Sequence, residues 1–295
     1  MFHGSIVAIV TPMKDGKLDE DSLRRLLRMH RAAGTNGIVP AGCTGEAATL
    51  TGDERRRLLD VCLDEVGDAL PVIPGTGSNS TAETVRLTAE AKAAGAAAAL
   101  IITPYYNKPT PEGQYLHYRT VAEAVDIPIV LYNVPGRTGT NMLPATVARL
   151  AEIRNIVAIK EAAGSVDQVS EIVEACDITV LSGDDPQTLP MMAVGARGVV
   201  SVAANVVPRA VAAMTASWPN DPERAEGLHH TLRRISRALF IETNPGPVKF
   251  AMKQLGLIDS DEVRLPLTTL TAESRERLKE QIAIMRETRR RLGDV

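Results

Sequence analysis

One lysine closes an apolar run. In IVAIKEAAGS, residues 156–165, Lys160 follows Ile156, Val157, Ala158 and Ile159, and the chain turns polar and glycine-rich directly after it. A lysine held among such neighbours loses hydration of its charge, a penalty that lowers its pKa from about 10.4 toward neutrality. The neutral amine is a nucleophile and condenses with a ketone to form a Schiff base. With no shift, only about one molecule in a thousand carries the neutral amine near pH 7.4, so the surroundings must supply roughly 3 units, or ~4 kcal/mol. The alternative reading is a structural ion pair of Lys160 with Glu161, Asp184 or Asp185. Glu161 is adjacent to the lysine and so faces the other side of a strand, which weakens its claim.

Four further clusters of polar, aromatic and glycine residues end apolar runs: AGCTGE (41–46), TPYYNKP (103–109), LYNVPGRTG (131–139) and LSGDD (181–185). Aromatic residues make up only 3% of the chain, yet all five tyrosines fall between Tyr105 and Tyr132, and Tyr106 and Tyr132 stand at the ends of such runs. Arg137, between Gly136 and Gly139, reads either as a carboxylate clamp or as a surface arginine. GTGSNS (75–80) reads equally as an N-cap turn or as an anion cradle, since both present the same free amides. Cys43 lies inside one of the clusters, whereas Cys62 and Cys176 lie in helical text and read as core.

These residues need elements to position them. Eight short runs rich in β-branched residues recur at 5–10, 36–41, 71–75, 97–103, 127–133, 156–160, 178–183 and 197–202. They are nearly continuously apolar, the pattern of strands buried on both faces of a parallel sheet. Amphipathic stretches separate them, two of them opened by capping-box spacings, Thr51 with Glu54 and Ser80 with Glu83. A strand–helix alternation repeated eight times, without a dinucleotide fingerprint, favours an α/β fold of the (β/α)8 TIM-barrel class over an open doubly wound sheet. In a barrel the βα loops converge on one mouth, which is where the five clusters fall. After about residue 220 the strand pattern stops and three helical stretches follow, so the expected division is a catalytic barrel over 1–220 and a helical region over 221–295, with a soft boundary at Trp218–Pro222.

Composition excludes several classes of function. The 295 residues are 44% hydrophobic with a net charge of −3, enough to bury a large core and too acidic for nucleic acid to be an expected partner. The basic clusters at 55–57 and 289–291 sit near acids in helical text and read as solvated faces. The three cysteines are widely spaced, no Cys or His pair has metal-ligand spacing, and adjacent His229 and His230 cannot share a helix face. With no signal-peptide pattern and no run of about 18 apolar residues, a soluble cytoplasmic protein with no membrane partner is the expectation.

The motifs GCTGEAATL, TPYYNKPTPEG, LYNVPGRTG, IKEAAGS, LSGDD and NPGPVKFAMKQLG, in this order over essentially the whole chain, resemble those of the dihydrodipicolinate synthase (4-hydroxy-tetrahydrodipicolinate synthase) family. The resemblance implies a lyase of diaminopimelate and lysine biosynthesis that joins pyruvate to L-aspartate 4-semialdehyde, a homotetramer built from tight dimers, and no metal or organic cofactor. It implies Lys160 as the Schiff-base lysine, Tyr132 over the imine as a proton relay, and Thr44 as the group holding the pyruvate carboxylate. It further implies Tyr106 as the end of the relay, with Tyr105 reaching across subunits, Arg137 as the ligand of the second substrate's carboxylate, and Gly183 and Val200 as lining of the pyruvate pocket. The chain departs from the family pattern at Cys43, which replaces the first, relay-bearing threonine of GTTGE; a thiol is a weaker hydrogen-bonding group than a hydroxyl. It also carries Ala47, Gly52 and Arg55 where lysine-inhibited members have a serine and two histidines, while Asn79 and Glu83 are retained, so feedback by lysine is expected to be weak or absent. An N-acetylneuraminate or keto-deoxy-sugar aldolase of the same superfamily would share Lys160 and Tyr132, but not an arginine at position 137. A pyruvate-binding barrel without catalysis is the remaining alternative.

Overall fold

The structure is a computed structural model that describes residues 2–294. It divides into two compact units, one formed by Gly4–Val72 with the chain from Ser201 onward, the other by Ile73–Val200.

The first unit opens with β1 (Gly4–Ala8), which pairs in parallel with β4 (Gly37–Val39) in the register Ile6 to Gly37 and Ala8 to Val39. Between them lie the short antiparallel strands β2 (Met13–Lys14) and β3 (Lys17–Leu18), then α1 (Glu20–Ala32). Asp15 and Gly16, both at positive φ (53° and 75°), form the two-residue turn of this hairpin, a conformation that aspartate-glycine pairs favour. The hairpin is too short for an alternating pattern to announce it. Helix α2 (Gly52–Val66) begins in a complete capping box between Thr51 and Glu54 and buries Leu58, Leu59, Val61, Cys62 and Val66.

The second unit carries α3 (Thr81–Ala94), β5 (Ala99–Ile102), α4 (Pro111–Ala124), β6 (Ile129–Asn133), the short α5 (Pro135–Thr138), α6 (Pro144–Ala151), β7 (Ile156–Glu161), α7 (Val166–Ala175), β8 (Thr179–Ser182), α8 (Thr188–Ala193) and β9 (Gly198–Ser201). Strands β5 to β9 pair in parallel, each with the next, and almost every residue in them is buried, as strands sandwiched between side-chain layers require. The expected strand at 71–75 is instead a pair of isolated bridges, Val72 with Ile38 in the first unit and Gly75 with Leu100 in the second. Pro71 and Pro74 remove two amides from that segment, so a continuous ladder cannot form. At Ser80 the cap is half the expected box: its hydroxyl accepts from the Glu83 amide, while the Glu83 carboxylate pairs with Arg86.

The first unit resumes with α9 (Pro208–Ser217), α10 (Pro222–Leu239), α11 (Gly246–Gln254) and α12 (Ala272–Leu292); the last three are the helical stretches expected after residue 220. Within this unit His30 of α1 is fully buried, with Nδ1 3.1 Å from Thr35 Oγ1 and no partner for Nε2. Burial, and secondarily the charge of Arg289, lowers its pKa to about 3. The unfolded chain therefore binds a proton at His30 below pH 6.5 that the folded chain refuses until about pH 3, and stability falls as pH drops through that window. At pH 4.5 the linkage amounts to about 2–3 kcal/mol. Replacing His30→Gln should flatten the decline in unfolding midpoint between pH 6.5 and 4.5, measured by chemical denaturation; an equally steep decline in the variant would show that other groups govern acid unfolding.

Candidate active site

Lys160 is the fifth residue of β7, and its place is set by the pairing of β7 with β6. Ile129 pairs with Ile156 but Val130 pairs with Ala158, so Val157 is an extra residue on β7, and everything beyond it shifts by one. Tyr132 consequently lies opposite Lys160, where an unbroken register would have put it opposite Ile159. Both residues are 6% exposed, and the lysine Nζ stands 4.1 Å from the centre of the tyrosine ring. A ring face at that distance favours positive charge, whether an ammonium or a protonated imine. Thr103 fixes the tyrosine from behind, its amide and hydroxyl both donating to the Tyr132 carbonyl at 2.9 and 3.0 Å. Buried Tyr118 of α4 donates to the carbonyl of Ile101 on the neighbouring strand.

The next register pair faces the opposite way. Asn133 and Glu161 follow Tyr132 and Lys160 in their strands and pair with each other. The Glu161 carboxylate is fully buried and accepts hydrogen bonds from Asn133 Nδ2, Gln168 Nε2 and the Ala163 amide. Burial pushes its pKa up, and these donors pull it part of the way back. Asn133 also donates to Asn141 Oδ1 and accepts from the Met142 amide. Asn133, Asn141 and Gln168 are absent from the sequence-based reading. The available signal was the repeated dyad of an inward functional residue and an outward polar one, YN and KE, at the ends of neighbouring strands.

On β8's end, Gly183 closes against the lysine. A Cβ at this position would lie 2.7 Å from Ala162 Cβ, 3.0 Å from Lys160 Cε and 3.1 Å from Lys160 Cγ. Beside it, burial and then the charge of Asp185 raise the pKa of Asp184. Val200 of β9 is buried. Arg137 lies in α5 and is exposed, while Tyr105 is 39% and Tyr106 89% exposed, the latter at a positive φ of 72°. The tyrosine pair thus presents its rings outward from the loop after β5.

Cys43 and Thr44 belong to the first unit, on the loop that follows β4. Thr44 is buried and its Oγ1 accepts from Asn244 Nδ2 at 3.0 Å; Cys43 is half-buried and in no disulfide. Arg55 donates from Nη2 to the Ala47 carbonyl, so two of the three positions that depart from the lysine-inhibited pattern bond each other. Cys62 is buried, its thiol pushed up to about 12 by desolvation, whereas Cys176 caps α7 only half-buried and thus departs from its expected place in the core. Among the described residues no group of three or more His, Cys, Asp or Glu could hold a metal ion, and no helix is long and apolar enough to cross a membrane.

A buried lysine against a tyrosine ring, at the end of a strand in a repeating strand–helix chain, is the arrangement of a lysine-dependent α/β-barrel enzyme. The model of the dihydrodipicolinate synthetase family matches residues 1–285. The 4-hydroxy-tetrahydrodipicolinate synthase of Pelobacter propionicus is 55% identical over 281 residues, covering 94% of this chain and 97% of that one. Dihydrodipicolinate synthase from Aquifex aeolicus superposes with a TM-score of 0.93 at 46% identity, covering 96% and 97% of the two chains. The chloride-inhibited dihydrodipicolinate synthase of Acinetobacter baumannii, complexed with pyruvate, does so with 0.94 at 45% identity, covering 97% and 99%. The chain belongs to the dihydrodipicolinate synthetase family, and its fold is the (β/α)8 barrel with C-terminal helices.

Gly183 tests the packing around the lysine. Its backbone lies outside the left-handed region, so alanine is tolerated by the main chain and acts only through its methyl group. Gly183→Ala should displace Ala162 and Lys160 and slow the keto-acid trapping proposed below for Lys160 by about tenfold or more, with the fold retained by circular dichroism. Capture at the wild-type rate would show that the lysine has room to spare.

Proposed function

We propose that this protein is a 4-hydroxy-tetrahydrodipicolinate synthase, a lyase joining pyruvate to L-aspartate 4-semialdehyde in the diaminopimelate branch of lysine biosynthesis. The relative at 55% identity over nearly the full chain carries that activity in its name, and the A. baumannii neighbour is a complex with pyruvate. The pairing of buried Lys160 with the Tyr132 ring is the observation that supports the chemistry most directly.

The Lys160 amine adds to the pyruvate carbonyl and the adduct expels water, leaving an imine with no external cofactor. Loss of a methyl proton gives an enamine, whose terminal carbon forms a bond to the aldehyde carbon of the second substrate; the aldehyde oxygen takes up a proton and becomes a hydroxyl. The substrate's own amine then attacks the imine carbon and displaces Lys160, closing the ring and freeing the enzyme. One water leaves per turnover. Each step moves a proton, which groups within hydrogen-bond reach must carry. We assign the relay to Tyr132, Tyr106 and Cys43, the pyruvate carboxylate to Thr44, the pocket lining to Gly183 and Val200, and the carboxylate of the semialdehyde to Arg137. Residues 1–220 form the catalytic part and 221–295 a helical region, and the protein works as a cytoplasmic homo-oligomer, a tetramer made of two dimers.

Mass spectrometry after borohydride reduction with pyruvate should show one reduced adduct on Lys160, absent in Lys160→Ala, and a coupled assay should then show consumption of aspartate semialdehyde. An unchanged mass, or a label on another residue, excludes the mechanism; trapping without consumption of the semialdehyde shifts the assignment to a sugar-acid aldolase.

Cys43 yields a separate expectation. A thiol is a weak hydrogen-bond donor and acceptor, so Cys43→Thr should match or raise kcat, by up to about tenfold if proton transfer limits turnover. A large loss of kcat in this variant would give the sulfur a role of its own.

A further inference from the structure

The loop that carries Thr44 is held in an unusual shape by residues some 200 positions later in the chain. Ala41 and Glu46, at its two ends, both have left-handed φ values, 51° and 53°, which side chains other than Asn, Asp and Gly rarely adopt. Gly45 lies so close to the start of the loop that a Cβ there would stand 2.9 Å from the Ala41 nitrogen. Such strain persists only where the surroundings over-determine it. Here the surroundings are Lys249 of α11 and the segment after it. The Lys249 Nζ lies 2.5 Å from Glu46 Oε1, with 0% and 1% of the two side chains exposed, and donates also to the Glu262 carbonyl. The Arg264 amide donates to Glu46 Oε2, while the Arg264 guanidinium grips both Glu54 oxygens and the Thr49 carbonyl.

Inside this clamp, Asn244 sets the polarity of one hydroxyl. A threonine hydroxyl has one hydrogen to give and two lone pairs to receive. Asn244 Nδ2 donates to Thr44 Oγ1, with Asn244 4% and Thr44 3% exposed, so one lone pair is taken. With Asn244 as the donor, the hydroxyl hydrogen is directed away from the Asn244 amide. A buried O–H whose oxygen is already engaged is a directed donor, and an anionic oxygen such as a carboxylate is the acceptor it suits.

We propose that Asn244 is a positioning residue that turns the Thr44 hydroxyl hydrogen toward the carboxylate of the keto acid, and that the Glu46–Lys249 pair holds the strained loop on which this depends. The proposal rests on the assignment of Thr44 as the carboxylate ligand made above. The helical region beyond residue 220 is on this account part of the substrate site's construction.

The test is the pyruvate concentration that half-saturates borohydride trapping on Lys160 in the full-length protein, measured for wild type, Asn244→Ala, Thr44→Val and the double variant. Asn244→Ala alone should raise that concentration by about threefold to tenfold, the worth of one directed hydrogen bond, and leave trapping at saturating pyruvate complete. In the Thr44→Val background the same change should have no further effect, because the hydroxyl it orients is gone. Equal effects in both backgrounds, or wild-type saturation in Asn244→Ala, overturn the proposal. Glu46→Gln combined with Lys249→Met removes both buried charges together, and should weaken half-saturation while Lys160 still labels fully at high pyruvate. Wild-type half-saturation in this folded variant removes the clamp from the proposal. Failure of the wild-type protein to trap pyruvate at all would strike the underlying assignment instead, an outcome distinct from a labelled Lys160 whose saturation ignores Asn244.

Discussion

The chemistry proposed for this molecule depends on an amine kept away from water while its chain neighbours keep it in one place. Desolvation alone would be satisfied by any lysine in a core. The distinguishing constraint is the extra residue at Val157, which shifts the end of β7 by one position and sets Lys160 against Tyr132. In a strand a slip of one residue sends every side chain to the other face, so the bulge decides which residue of IVAIKE points inward with the tyrosine. The Asn133–Glu161 pair, in the next register position and facing outward, is where that register is held. A slip there would part a buried carboxylate from its Asn133 donor.

Two buried acids therefore do comparable work in the two units. Glu161 stands behind the lysine, bonded only to neutral donors, and its pKa is raised by burial. Glu46 stands behind Thr44 and is bonded to a cation whose own pKa is lowered by burial and supported by that same glutamate. Removing either partner of a buried ion pair costs about 3–5 kcal/mol, whereas replacing both with apolar groups is often neutral. Such pairs add little to stability by existing; their effect is to make one conformation of the loop far better than its neighbours. For a loop with two left-handed residues, that selection is the requirement.

The strands were readable because both of their faces are covered, which leaves continuous apolar runs that no surface strand would carry. Seven of eight appeared as such, and the eighth was lost to the amides missing at Pro71 and Pro74. The three late helices were readable from their amphipathic text. Lys160 and Tyr132 were visible because each is a polar exception at the end of an apolar run. The Asn133–Glu161–Gln168 network was not, since an asparagine or glutamate at a strand end looks like the start of a loop until the opposite strand is known to bring a matching group. The Asn244–Thr44 bond spans 200 residues, and no local pattern reports it.

Cys43 and Thr44 differ in what their places demand. They are neighbours on a loop whose shape is clamped at Glu46, yet the structure treats them differently: Thr44 is buried with its oxygen engaged, and Cys43 is half-buried. A position whose task is to hold a carboxylate needs a fixed direction, and a thiol, with its longer bond and weaker polarity, would serve poorly there. A position whose task is to pass a proton can tolerate a poorer group if a water molecule can enter beside it. On the proposed assignment, the thiol stands at the more exposed of the two residues and the threonine at the clamped one.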